Sequence, residues 1–163
     1  MPIRRGFLLI LLVGLLFSLS CASSPMLPER GLTVAVWDLE NLSPTGSLQP
    51  DLGELFSAQI IEAMKKRGDY VVVERERLLV ALEELRLGTT SLVDDTTRLK
   101  LGKLIGARRM ILGAYQIIGG QIRLDLRLVE VETGKVRKAV QKTAAASELA
   151  GWLETARKAA EEL

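Results

Sequence analysis

The sequence predicts a mixed α/β domain, in which a sheet of about five strands, parallel first and antiparallel later, packs against about four helices. Three observations carry this. Short β-branched runs alternate with helical stretches through the first two thirds of the chain. Gly119-Gly120 then divides two strand-like runs with a two-residue turn, and the residues after Ser147 return to helical spacing. At 163 residues the chain suffices for one ordinary domain but hardly for two.

The first element is Leu32 to Leu39 (LTVAVWDL), an apolar, β-branched run that gives way to the turn-rich ENLSPTG. Asp51 offers a helix N-cap with Glu54 three residues on. Leu52, Leu55, Phe56, Ile60, Ala63 and Met64 follow at helical spacing until Lys65-Lys66-Arg67-Gly68, where cations in the last turn and a glycine make a helix end. Tyr70 to Val73 reads as a second strand. Glu74 opens a helix with Leu78, Leu79, Leu82 and Leu85 on one face, stopping at Gly88. Ser91-x-x-Asp94 is a capping pattern for a third helix that uses Leu101, Leu104 and Ile105 and ends at Gly106. Right-handed crossovers between these units would make the early strands parallel.

The Gly119-Gly120 turn joins Arg109–Ile118 to Gln121–Val131 as an antiparallel pair. In the second arm Ile122, Leu124, Leu126 and Leu128 point one way and Arg123, Asp125 and Arg127 the other, which predicts one wet sheet face. The apolar phase slips to Val129 and Val131, which predicts a bulge or a change of covering layer near Leu128. Val136 to Thr143 follows a turn at Glu132-Thr133-Gly134-Lys135. Ser147 then caps a last helix with Leu149, Trp152, Leu153, Ala156, Ala160 and Leu163 along its stripe, Trp152 being read as core.

Composition excludes several chemistries. There is no histidine and one cysteine, so Cys/His zinc sites, Ser-His-Asp or Cys-His nucleophilic devices and intrachain disulfides are out of reach, and no cofactor or metal site is expected. The leader accounts for the apparent basicity. Arg4 and Arg5 precede an apolar run from Phe7 to Phe17, and without those two arginines the remaining residues balance 20 basic against 20 acidic side chains. A neutral body gives no electrostatic reason to bind nucleic acid.

Residues 1–20 read as a signal peptide, since the apolar run is shorter than the ~20 residues a spanning helix needs. An inner-membrane anchor is the alternative. Cys21 stands where the run ends, in SLSCASS, and this is similar to the lipobox of bacterial lipoproteins, in which the cysteine is acylated and becomes the mature N-terminus. Acyl chains would anchor the chain durably at ~0.8 kcal/mol per buried methylene, and nothing else obviously uses the thiol. Ordinary signal peptidase reading Ser20-Cys21-Ala22 as its site is the other outcome. Residues 21–31, ASSPMLPERG after the cysteine, form a short tether of at most ~35 Å, and residues 32–163 form the domain.

Four strings then match a known family in order: VAVWDLEN at Val34–Asn41, YVVVERERL at Tyr70–Leu78, LGKLIGA at Leu101–Ala107 and RLVEVETG at Arg127–Gly134. From about Thr33 to Thr143 the chain resembles the periplasmic α/β domain of CsgG-type lipoproteins, a superfamily that takes in CsgG, FlgO, LpoB and the N-terminal domain of TolB. The resemblance implies a non-enzymatic assembly or accessory role in secretion or envelope machinery. It also implies protein partners there, assembly with further copies of itself, and a lipid-anchored position facing the periplasm. Ala22 after the cysteine, where an Asp would retain the chain, is similar to the sorting signal for the outer membrane.

Three sharper readings compete with blander ones. Asp38 and Glu40 leave the first strand at the carboxyl end of a partly parallel sheet, where α/β proteins place catalytic groups. An enzyme using them requires a concave pocket holding both with a raised carboxylate pKa, whereas the plainer expectation is that they cap and solubilise a loop. Gly102-Lys103 with Gly106 lacks P-loop spacing and reads as a packing glycine and a helix stop. Arg108-Arg109, Arg123, Arg127 and Arg137-Lys138 are interleaved with Asp125, Glu130 and Glu132, so a salt-bridged face is expected over a nucleic-acid patch.

Overall fold

A computed structural model describes residues 31–44, 52–85, 94–145 and 148–163. The leader, Cys21, the tether up to residue 30, and the proposed capping residues Asp51, Ser91 and Ser147 lie outside the described residues, as does Gly88.

One mixed sheet holds six strands among the described residues: β1 (Leu32–Val36), β2 (Glu40–Asn41), β3 (Tyr70–Val72), β4 (Arg109–Ile118), β5 (Gln121–Glu130) and β6 (Val136–Ala145). The strand order is β3-β1-β4-β5-β6, with the two-residue β2 pairing β4 beyond the end of β1. β1 is parallel to both β3 and β4, and β4-β5-β6 is an antiparallel meander. Four helices flank it: α1 (Gly53–Arg67), α2 (Arg75–Glu84), α3 (Asp95–Leu104) and α4 (Leu149–Glu161).

The first strand is shorter than its apolar run suggests. Pairing stops at Val36, and Trp37 and Leu39, though buried, sit in a non-strand link before β2. Trp37 N–H still bonds the Ile111 carbonyl at 3.0 Å, so the ladder is bent here and not abandoned. Three helix stripes are narrower than their leucines: Leu55, Leu79 and Leu104 face solvent, while Phe56, Leu78, Leu82 and Leu101 are buried. α1 begins after Leu52 with no side-chain cap, and α3 is capped by Asp94, whose carboxylate accepts from Thr97 N–H at 2.7 Å. That bond holds the Asp94 carboxyl below its ordinary range.

The sheet separates two cores. On one face α1 and α4 cover Val34, Val36, Ile111, Tyr115, Ile122, Leu124, Leu126 and Leu128, with Trp152, Ala156 and Ala160 supplied by α4. Trp152 is therefore core, as its stripe predicts. On the other face α2 and α3 cover Ala35, Trp37, Met110, Leu112, Val129 and Val131. The phase slip on β5 is both of the things it predicts: Leu128 belongs to the first core and Val129 to the second, and the register breaks between them. Because Leu128 pairs Lys138 and Val129 pairs Val136, Arg137 is the extra residue of a bulge on β6.

Two glycines have steric reasons. At Gly102 a Cβ would lie 2.5 Å from Met110 Sδ and 3.3 Å from Val131, so α3 can sit this close to the sheet only through a glycine. Gly119 and Gly120 both have positive φ (58° and 77°), which is what a two-residue turn matched to the strand twist requires.

Candidate functional site

The link after β1 was the sequence's candidate for chemistry. The structure separates its two carboxylates. Asp38 is turned inward, with its side chain 16% exposed. Its Oδ1 accepts from Ser57 Oγ at 2.7 Å, and its Oδ2 accepts from Arg75 at 2.6 Å. Arg75 also lies 3.3 Å from Glu54, so Asp38 ties the β1 link to α1 and α2 together. Glu40 is exposed and lies 3.9 Å from Arg98, which stacks 5.6 Å from the Trp37 ring. The two acids thus serve different cations. The described arrangement is a set of structural ties between loop and helices.

Tyr115, which sequence reasoning did not single out, completes this end. Its hydroxyl accepts from Leu52 N–H at 2.8 Å at the start of α1, and its ring meets Phe56 edge-on at 4.9 Å. The missing side-chain cap of α1 is thereby supplied from the sheet. A tyrosine alone in an apolar strand gives no signal of this in the sequence.

The second candidate region is the sheet surface that α2 and α3 leave uncovered. Cross-strand partners Gln116, Arg123 and Thr143, and Asp125 and Gln141, share this face with Arg127 and Ile118. Arg123 donates to Asp125 at 2.8 and 3.1 Å and to Gln141 at 3.1 Å, and Arg127 reaches Asp95 of α3 at 3.2 Å. The arginines are therefore paired, as the interleaved sequence predicts. Beside this face β6 forms a ten-residue sheet edge that carries Arg137, Lys138 and Lys142. Lys142 is paired with Glu162. Long exposed edges are pairing hazards, and cations on them blunt self-association.

The third region lies at the opposite end of β1 from Asp38. Glu130 accepts from Thr133 Oγ1, from both Arg137 contacts at 2.7 and 2.8 Å, and from Arg109 at 2.9 Å. The Thr133 hydroxyl first, then the two guanidinium groups, hold its carboxyl down to about 2. Arg137, which makes two of these contacts, is the extra residue of the β6 bulge. Gly102 and Gly106 are the packing glycine and helix stop expected, Gly106 having φ 77° and bonding Lys103 O.

Among the described residues no group of His, Cys, Asp and Glu side chains could hold a metal ion, and no helix is long and apolar enough to cross a membrane. What the described surface offers is a half-covered sheet with a wet face and a charged edge, on a small α/β scaffold whose inward carboxylates are used for ties.

The chain belongs to the CsgG family: the model of the curli production assembly/transport component CsgG matches residues 16–119, more than half of the sequence. No curated protein gives a significant sequence match. Among solved structures the chain is similar to the LpoB C-terminal domain from Salmonella enterica, with a TM-score of 0.59 at 19% identity over 71% of this chain and 83% of that one. It is similar also to lipoprotein GNA1162 from Neisseria meningitidis (0.58, 16% identity, 76% and 90% covered) and to the PelC dodecamer from Paraburkholderia phytofirmans (0.53, 17%, 82% and 84%). At such identities the likeness is one of fold.

Proposed function

We propose that the chain is an outer-membrane lipoprotein, held through acylated Cys21 and facing the periplasm, that acts as a non-enzymatic assembly or accessory subunit of a secretion or envelope machinery. The observation that carries this is the joint occurrence, in one chain, of a leader ending at a lone cysteine and a body of the CsgG family. Asp38, the best-placed acid for chemistry, is engaged by Ser57 and Arg75, which supports a scaffold in preference to a catalyst. The dodecameric PelC neighbour supports assembly with further copies, for which the uncovered sheet face is an available surface.

The likeness to the LpoB C-terminal domain favours a second reading, a soluble or anchored periplasmic regulatory or binding module, for example of a peptidoglycan synthase or flagellar apparatus. Labelled palmitate and membrane fractionation test the anchor. The wild type should be labelled and sediment with outer membranes, and Cys21→Ala should be neither. A Cys21→Ala chain that is still membrane-bound and equally labelled refutes lipidation. Mass spectrometry of the mature N-terminus separates the unanchored form of the second reading, which would begin beyond the cysteine.

A further inference from the structure

β6 ends the sheet on one side, and its outer edge is open among the described residues. In an antiparallel sheet successive residues turn their N–H and C=O groups alternately to the two neighbouring strands. At the end of β5, Val131 N–H donates to Arg108 O at 3.1 Å and Glu130 N–H to Lys135 O at 2.9 Å. Odd-numbered residues of this strand thus bond toward β4 and even-numbered ones toward β6. Because Leu128 pairs Lys138, Leu126 pairs Val140 and Leu124 pairs Lys142, the even-numbered residues of β6 are the engaged ones. The backbone groups of Ala139, Gln141 and Thr143 therefore point outward, where no further strand among the described residues pairs them. All three are exposed and none is proline, so their donors and acceptors stand in a free row about 14 Å long.

Such a row is completed by another extended backbone. The charges decide whose. β6 carries Arg137, Lys138 and Lys142 and no acid. Arg137 is met by Glu130 and Lys142 by Glu162. The exposed Lys138 ammonium, like that of Lys135 in the turn before β6, reaches no acceptor among the described residues. A second copy laid edge to edge would double the cations along one seam, with no carboxylate on either β6 to answer them. A foreign strand that bears carboxylates would meet Lys138 and Lys135 while its backbone completes the ladder.

We propose that the β6 edge binds an acidic, extended segment of a partner protein as an additional strand of the sheet. This rests on the reading of the chain as an accessory subunit and is measured apart from the anchor, since palmitate labelling of Cys21→Ala does not involve β6. The full chain in nonionic detergent micelles is titrated with the fluorescein-labelled peptide TVEVEVT and with its basic counterpart TVKVKVT. A third probe is fully N-methylated TVEVEVT, which keeps the carboxylates but has no backbone donor. Fluorescence polarisation should saturate for TVEVEVT, with a Kd roughly tenfold or more below that of either control. Lys138→Glu, in a variant whose thermal melt matches the parent, should raise that Kd about fivefold. On binding, amide exchange followed by NMR should slow roughly tenfold at Ala139, Gln141 and Thr143, while Val140 and Lys142, already bonded to β5, hold their rates. Absence of binding, equal binding of the N-methylated or basic peptide, an unchanged Kd in Lys138→Glu, or a complex that leaves those three amides unprotected overturns the proposal. So does slow exchange of the three in the free chain, which would mark a second copy already paired there.

Discussion

Replacing Asp38 by alanine discriminates a structural carboxylate from a chemical one. The carboxylate accepts from Arg75 at 2.6 Å and from the hydroxyl of fully buried Ser57 at 2.7 Å. Hydrogen bonds to charged groups contribute about 1.5–3 kcal/mol each, and breaking a fully buried ion pair costs about 3–5 kcal/mol. Here the loss is smaller. Arg75 is 21% exposed and keeps Glu54 at 3.3 Å, and Ser57 Oγ keeps the Glu54 carbonyl at 2.9 Å, so neither partner is stranded. Asp38→Ala should therefore lower the unfolding free energy by about 2–3 kcal/mol, a fall of roughly 5–10 °C in Tm for a domain of this size. Asp38→Asn, which keeps an acceptor, should fall between. Urea unfolding of Asp38→Ala, Arg75→Ala and the double variant, with unchanged m-values, closes a cycle whose coupling is expected near 1–2 kcal/mol. A carboxylate kept for chemistry predicts the reverse, because removing groups held at the expense of stability is neutral or stabilising. A neutral or stabilised Asp38→Ala with coupling below about 0.5 kcal/mol would refute the structural assignment.

Tyr115→Phe keeps the ring against Phe56 but leaves Leu52 N–H at the start of α1 without its acceptor, and should cost about 1–3 kcal/mol in chemical denaturation; a change within error would mean that the N–H finds another partner. Gly113→Ala should cost about 2–3 kcal/mol, since a Cβ there would lie 2.5 Å from the Asp125 carbonyl on the paired strand, which cannot swing aside as a side chain can; equal thermal melts would contradict it. Glu130 has its folded pKa depressed from 4.5 to about 2, so its contribution is present above pH 4.5 and drains away as pH falls toward 2. Urea midpoints of wild type and Glu130→Gln should therefore differ at pH 7 and converge between pH 4.5 and 2, and a gap that stays constant across that window would count against the clamp.

The legibility of this fold in its sequence followed how local each determinant is. The two arms of the β4–β5 hairpin were legible to within a residue because strict alternation and a Gly-Gly turn are carried by neighbours in the chain. The bulge near Leu128 was legible for the same reason: the apolar phase changes face at consecutive residues. The end of β1 was not, since Trp37 and Leu39 are as buried as strand residues would be although pairing stops at Val36. Leu79 and Leu104 misled because helical spacing marks a face but not how far the neighbouring helix reaches across it. At the sites, Asp38 was visible as an acid in a notable place, while its partners Ser57 and Arg75, 19 and 37 residues away, had no sequence pattern to connect them.

The uneven covering of the sheet has an energetic consequence for anything that docks on it. α1 and α4 cover the core residues of β1, β4 and β5 on one face, whereas α2 and α3, ten residues each and thus only ~15 Å long, cover the other over β1, the near end of β4 and Val129 of β5. The remaining surface holds Arg123 with Asp125 and Gln141, and Arg127 with Asp95, all already satisfied. A greasy partner would have to dehydrate those pairs with little return, because burial of an ion pair seldom repays its desolvation. A partner that leaves them wet and adds contacts to Ile118, Gln116 and the β6 edge avoids that cost. Its affinity would then depend on salt mainly through the rate of encounter, as complementary rim charges do elsewhere. Face and edge thus favour a polar, reversible contact over an apolar one.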